Sequence, residues 1–433
     1  MGRSRSRNIY LDYFKAYLPV KKRPTAELLT IGTELLTGST VNTNAAYLGK
    51  ELTSLGFKVH HQCAVRDEPD VIKGALGQAL RRSDVIVITG GLGPTPDDIT
   101  RETVADYFRV PLLFFPKQYQ LIKRLYRLRG KQVPAIVKKE AYFPSNAKPV
   151  LNQFGVALGF TIEEEGKMVI VLPGVPGELI RLFETRIKNF LPKKFKADPI
   201  YGLVVKTIGL SEPAVMQRLG NGFFDLGSFQ FGIYPKAGEV SLRMYADSKP
   251  LISKIKNWVK RKLRGSIYSF GDETLEQVVA RELKKQKMTI SLAESCTGGR
   301  ISKKITAIAG ASAFFKGSVV AYHDRAKHDL IEVQKDILRD KGAVSKECAL
   351  AMARGVKKKM NTRLGISVTG IAGPSGGTKE KPVGLVYISI SGPKEEKVWK
   401  HLFTGDRDQI QSKATKKTLE YLWRWTQKKS EPF

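Results

Sequence analysis

Apolar residues in this chain follow two alternating rhythms. Short, nearly continuous β-favouring runs are each followed by a stretch with apolar residues three or four apart. Residues 27–31 form the first run. Residues 42–56 then predict a helix, with Asn42 or Thr43 at its start, Leu48, Leu52 and Leu55 on one stripe, and Gly56 at its stop. Residues 57–65 predict a strand, 69–82 a helix, and 84–89 a fully apolar strand, after which a helix runs to Phe108. This order implies a parallel sheet covered on both faces. The fold class is α/β and multidomain.

The rhythm changes in the middle. Strands at 201–208, 229–234 and 240–245, with helices at 212–219 and 251–263, predict a small α+β unit. Further on, helices at 275–285, 301–308 and 346–360 alternate with strands ending at Glu294, Tyr322 and Val368, and 385–390 adds another strand. The expected divisions are a basic arm at 1–25 and domains at 26–175, 176–265 and 266–433.

Composition adds less. The chain has 433 residues, 42% of them hydrophobic and 26% charged, and no apolar run long enough to span a membrane, so a soluble cytoplasmic protein is expected. Cys63, Cys296 and Cys348 lie far apart and fit no metal-ligand spacing. The net charge of +32 is the unusual number. It favours polyanions in general. Yet runs such as Lys21–Arg23, Lys260–Arg264 and Lys357–Lys359 lack interleaved aromatics, so solvated faces are expected and nucleic acid is not an expected partner.

Chemistry concentrates at strand ends. The run ending at Glu294 opens into Ser295-Cys296-Thr297-Gly298-Gly299, where amide groups of a following helix can converge on an anion. Ser295 there is either a nucleophile with oxyanion donors behind it, or, with Thr297, a helix cap. A second strand end carries Thr369 to Gly377, with Gly370, Gly373, Gly376 and Gly377, and a third carries Tyr322 with Lys327 nearby. In a parallel sheet such ends share one edge. A Ser-Lys pair there suits amide hydrolysis, with Tyr322 relaying a proton or orienting the ammonium. Core packing for Tyr322 and a surface position for Lys327 are the alternatives, and His323 and His328 are discounted as bases. In the first domain, Gly90, Gly91 and Gly93 follow a strand and let backbone approach a phosphate. Asp97 and Asp98 behind them are read as ligands of a divalent metal, although helix capping would also place acids there.

These residues carry a resemblance. Gly32 to Gly38, Asn42-Thr43-Asn44, Thr89 to Asp98, Asn152 with Gly155, and Leu172 to Glu178 look like the N-terminal domain of the CinA family, similar to the molybdopterin-binding fold. One segment departs from it: Glu140 stands before Ala141 where a Gln is expected. Ala293 to Gly299, Tyr322 with Lys327, Gly342 to Ser345, Thr369 to Pro374, Lys381 to Gly384 and Thr404 to Arg407 look like the family's C-terminal domain. The resemblance implies a three-layer α/β/α fold for both. It implies hydrolysis of ADP-ribose in the first domain with Mg, Mn or Co at Asp97 and Asp98, and Thr33, Glu34, Asn42, Asn44 and the three glycines around the substrate. For the last domain it implies deamidation of nicotinamide mononucleotide without a cofactor. Ser295, Tyr322 and Lys327 would be catalytic there, and Glu294, Thr297, Gly298, Gly299, the 370–377 glycines and Arg407 would bind substrate. A homodimer is the expected assembly.

Overall fold

The computed structural model describes residues 23–236 and 238–427, so of the arm expected at 1–25 only Arg23, Pro24 and Thr25 lie within it. The chain divides into two compact units: one extends to Gly202 and takes in Tyr245–Lys249, and the other holds Leu203–Met244 and everything from Pro250.

The first unit is built on β1 (Thr25–Ile31), α1 (Thr43–Ser54), β2 (Lys58–Val65), α2 (Pro69–Arg82), β3 (Val85–Thr89), α3 (Thr100–Tyr107) and α4 (Pro116–Leu128). It continues through β4 (Ala147–Val150), β5 (Gly159–Glu164), β6 (Lys167–Leu172) and α5 (Pro176–Leu182). The sheet order is β2-β1-β3-β6-β5-β4. Its first four strands are parallel and the last two run antiparallel. Because side chains alternate along a strand, β1, β3 and β6 feed two cores. Leu28, Val85, Val87 and Ile170 pack with Leu48 and Leu52 of α1, whereas Leu29, Ile86, Ile88 and Val171 pack with Ile72 and Leu76 of α2. The result is the expected α/β/α sandwich. The boundary expected at 175 is misplaced: Leu179, Leu182, Phe183, Ile187 and Leu191 join the core of Leu28 and Ile170, so the segment after 175 belongs to this unit.

The second unit begins with β7 (Tyr201–Ile208), α6 (Glu212–Leu219), β8 (Gln230–Lys236), β9 (Glu239–Ala246), α7 (Lys249–Lys262) and β10 (Ile267–Ser269), in sheet order β8-β9-β7-β10. It continues with α8 (Leu275–Lys285), β11 (Ile290–Glu294), α9 (Arg300–Thr306), β12 (Phe315–Val320), α10 (Asp324–Ile331) and α11 (Lys346–Lys359). The strands β13 (Leu364–Gly370), β14 (Leu385–Ser391) and β15 (Glu396–Leu402) and the long α12 (Arg407–Gln427) complete it. No break falls at 265. Ile208 and Tyr268 share one core with Leu283, Ile366 and Trp423, Lys416 pairs with Glu239 at 2.8 Å, and Arg424 donates to Gly265 O.

The five-stranded sheet runs β12-β11-β13-β14-β15. Its first three strands are parallel and the other two antiparallel, a mixed sheet where a parallel one was expected. Glu294 lies opposite both Val320 and Val368, so the chain following each of the three parallel strands emerges at one edge. The strand expected to end at Tyr322 ends at Val320, and Tyr322 stands outside the sheet.

Phe183 tests the first boundary. Phe183→Ala is expected to destabilise the first unit by about 3–5 kcal/mol, read as an earlier urea transition; an unmoved transition would return residues 176–200 to a separate domain.

Candidate functional sites

In the first unit the strand ends open on a cleft of about 470 Å³. Positive φ at Gly90 (107°) and Gly91 (64°) turns the chain sharply after β3 and brings its backbone to the wall. Six carboxylates line this cleft, from Glu34, Asp67, Asp97, Asp98, Glu140 and Glu178, and no Lys or Arg does. In a chain of charge +32 this is an inversion.

The predicted residues divide here. Gly90, Gly91, Gly93, Glu34, Asn42, Asn44, Asp97 and Asp98 all line the cleft. Thr33 does not: its N–H and hydroxyl both donate to Asp67 Oδ2. Asn42 is occupied structurally, accepting from Ala45 N–H as the cap of α1 and donating to Thr30 Oγ1. Asn44 donates to Gly174 O at 2.7 Å, and its own oxygen is buried without a partner. Asp98 Oδ2 accepts from Thr95 N–H at 2.9 Å and Thr95 Oγ1 at 2.5 Å, which engages one of its two oxygens. Hydrogen bonding from Thr95 also holds the Asp97 carboxyl below its ordinary range.

Sequence reasoning missed the cleft's inner acids. Glu140 is 2% exposed, and its Oε2 has no partner. Burial pushes its carboxyl up to about 7 against the opposing pull of Arg101, with Glu178 and Asp98 adding repulsion. Burial also raises Glu178, opposed by the hydrogen bond from Asn152 Nδ2 at 2.6 Å. Arg101 is fully buried under the glycine loop and donates to Leu92 O. The departure at position 140 was the one signal available.

Among the described residues no three His, Cys, Asp or Glu side chains stand close enough to hold a metal by themselves. Lys139 Nζ donates to Asp98 O at 2.6 Å and so stands beside these acids. Hard oxygen donors still suit Mg²⁺, which is commonly held by one or two carboxylates together with substrate phosphates, and Asp97 and Asp98, at the mouth of the glycine loop, are the residues that would hold it.

At the sheet edge of the second unit, Glu294 is wholly buried and accepts from Gly299 N–H, Ile301 N–H, Ser302 N–H and Ser302 Oγ. The anion expected at this helix start is therefore supplied by the chain. Glu294 is a cap and does not face substrate. Gly299 N–H is used by it, and Gly298 N–H donates to Ser295 O, so neither glycine offers its amide to a ligand. What remains is the turn itself. Ser295 is 7% exposed, Ser295 N–H donates to Val368 O, and the Thr297 hydroxyl is buried without a partner.

Lys327 is 1% exposed, which removes the surface reading. Its Nζ donates to Tyr322 O at 3.1 Å and faces Asp324 Oδ1 at 3.4 Å. Tyr322 is 56% exposed, so core packing is excluded too. Its hydroxyl accepts from Arg407 Nη2 at 2.5 Å, while Arg407 Nη1 donates to Gly373 O at 2.6 Å. Arg407 thus ties the Tyr322 segment to the loop after β13. Both Lys327 and Arg407 act on the Cys296 thiol, which burial pushes up to about 12 against them. Both basic side chains therefore lie within electrostatic reach of the residue beside Ser295. Gly370 has a packing role, since a Cβ there would meet Leu385 O at 2.7 Å; at Gly376 a Cβ would make only ordinary contact with Ile371 Cγ2, at 3.9 Å. His323 caps α10 by accepting from Arg325 N–H at Nδ1, and His328 Nδ1 bonds Val333 O. Asp324, the partner of Lys327, was not anticipated.

Glu140 generates a pH prediction. Its carboxyl is raised on folding, so the folded protein holds the extra proton, and stability falls as pH climbs from about 4.5 through about 7. Glu140→Gln is expected to flatten that decline and to add roughly 1–3 kcal/mol at pH 8; chemical denaturation at pH 5 and pH 8 measures both.

Comparison with known proteins follows the same division. Residues 27–193 match the probable molybdopterin binding domain and residues 272–425 the CinA C-terminal domain. A putative competence-damage inducible protein of Caldicellulosiruptor saccharolyticus is 40% identical over 403 residues, covering 92% of this chain and 98% of that protein. A CinA-like protein of Dictyoglomus thermophilum is 39% identical over 404 residues, with the same coverage. Among solved structures, the protein CinA from Thermoplasma acidophilum is 38% identical and covers 39% of this chain and 99% of its own, with a TM-score of 0.37. Similarity at this level along nearly the whole of both chains identifies this protein as a member of the CinA family.

Proposed function

We propose that the last domain deamidates nicotinamide mononucleotide to nicotinate mononucleotide and ammonia, and that the first hydrolyses ADP-ribose to AMP and ribose 5-phosphate with a divalent cation. The observation that carries the first half is the burial of Lys327 against Tyr322 O, with Arg407 tying Tyr322 to the loop after β13, the strand on which the Ser295 turn is bonded. A hydroxyl at a strand end, a buried amine and an anion-seeking guanidinium suit a phosphorylated amide.

Ser295 Oγ attacks the carboxamide carbon while Lys327, in its amine form, takes the hydroxyl proton. Asp324 stabilises the ammonium so formed, and Tyr322 O holds Nζ in place. The amide groups of Cys296 and Thr297, which follow the nucleophile, are the donors this reading assigns to the developing oxyanion. The C–N bond breaks, the nitrogen takes the proton and leaves as ammonia, and water hydrolyses the resulting ester. Arg407 receives the nucleotide phosphate by exchanging Tyr322 Oη or Gly373 O for a phosphate oxygen.

The second half rests on the charge of the cleft. Six carboxylates repel a bare pyrophosphate, so the substrate enters with its cation. The bound cation would neutralise the bridging phosphates and polarise the phosphorus. Asp97 and Asp98 would hold it, the Gly90–Gly93 backbone would approach the phosphate oxygens, and Glu34 and Asn44 line the same cleft.

Ser295→Ala is expected to abolish ammonia release from nicotinamide mononucleotide, by at least about a thousandfold in kcat, with the melting temperature unchanged. Retained release sinks the serine mechanism. Asp97→Asn combined with Asp98→Asn is expected to remove metal-dependent ADP-ribose hydrolysis while leaving ammonia release intact; unaffected hydrolysis of ADP-ribose dismisses the metal role.

A further inference from the structure

Helix α7 carries a charge pattern that neither active site uses. From Lys249 to Gly271 the chain has seven Lys and Arg residues and no Asp or Glu. Ile255, Val259 and Leu263 are buried, which points the opposite side outward. On that side Lys256, Lys260 and Arg264 recur every fourth residue, all exposed, and Lys254, Arg261 and Lys262 flank them. At about 1.5 Å per residue Lys256 and Lys260 stand roughly 6 Å apart along the helix, and Arg264, in the turn just past Lys262, continues the row.

None of these six makes an ion pair among the described residues, whereas Arg281, Lys416, Lys417 and Arg424 of the same unit each meet a carboxylate. Like charges four apart disfavour a helix. Their nearest compensation is aromatic. Lys256 lies 5.1 Å over the Phe270 ring, and Arg261 and Lys262 lie 5.0 and 5.4 Å over Trp258. Trp258 stands among these cations in sequence, although the shorter run Lys260–Arg264 holds no aromatic; folding brings Phe270 beneath the row as well.

We propose that the outward face of α7 binds the phosphate backbone of single-stranded nucleic acid, with Phe270 as a stacking surface. A row of this length matches successive phosphates better than one metabolite's phosphate group. Phe270 is 38% exposed, so part of its ring is open to a base. An anionic bilayer fits less well, because interfacial helices insert an apolar face and the apolar side chains of α7 are turned into the protein. The inference does not depend on either proposed activity.

The test is fluorescence anisotropy of the full chain with a labelled 20-nucleotide uridine RNA. If three to six cations contact phosphates, log affinity falls against log salt with a slope of roughly 2–4, a loss of about twentyfold or more between 50 and 200 mM salt. The triple variant Lys256→Glu, Lys260→Glu, Arg264→Glu lowers the net charge by 6, from +32 to +26, and is expected to weaken binding by about fiftyfold or more and flatten the slope. Lys117→Glu, Lys123→Glu, Arg124→Glu on α4 makes the same change of charge and is expected to leave affinity within about threefold. Phe270→Ala is expected to weaken binding by roughly tenfold with the slope unchanged. Circular dichroism checks folding, and glutamine replaces glutamate at the three α7 positions should the first triple unfold. Absence of RNA binding at 50 mM salt, equal losses in the two triple variants, or tighter α7-dependent binding to phosphatidylserine vesicles would each overturn the proposal.

Discussion

The site at the sheet edge depends on one buried carboxylate. Glu294 is the last residue of β11, and its two oxygens gather three backbone N–H groups and one hydroxyl from the start of α9. A buried charge is tolerable only when hydrogen-bonded on all sides, and a helix start is where unsatisfied donors are available. The bond network therefore closes strand onto helix across a turn of five residues. Ser295 to Gly299 cannot relax without uncovering that charge. The nucleophile candidate is held from behind, by a residue that resembles a ligand-binding group only when the sequence is read flat.

The remaining parts of that edge hang on this turn. Ser295 N–H reaches Val368, so the loop after β13 is drawn alongside, and Arg407 binds that loop to Tyr322. Tyr322 contributes through two different atoms, its carbonyl on Lys327 and its hydroxyl on Arg407. The two cations are thereby placed on either side of a residue whose ring faces solvent.

The two candidate sites differ in charge. The edge in the second unit holds the basic side chains of Lys327 and Arg407, joined through Tyr322. The cleft in the first unit collects six carboxylates, among them Glu140 at 2% exposure. A fixed cation serves a ligand carrying one phosphate group, whereas a cluster of acids suits a pyrophosphate that arrives with its own counter-ion. The net charge of +32 describes neither site, since the excess lies elsewhere, α7 included.

Alternation and spacing made β1 to β3 with α1 to α3 legible, and β11, β13 and β14 with α8 and α11, because period-two and period-3.6 burial are local properties of the chain. They did not reveal the strands at 147–172 and 396–402 or the helices at 116–128 and 407–427, and the strand expected to end at Tyr322 ends two residues earlier. They did place Ser295 and the 370–377 loop at strand ends, and the glycine motifs carried the family. Tertiary structure decided what each residue does there. Glu294 became a cap because unsatisfied donors lay within reach, whereas the cap at Asn42 was already legible in the sequence. Lys327, one lysine among many, became distinctive only by burial against Tyr322 and Asp324. The 176–200 segment joined the first unit because its apolar stripe completed the core around Leu28. Burial and long-range partners are properties of the folded whole, and no spacing along the chain encodes which of two compatible roles a side chain takes.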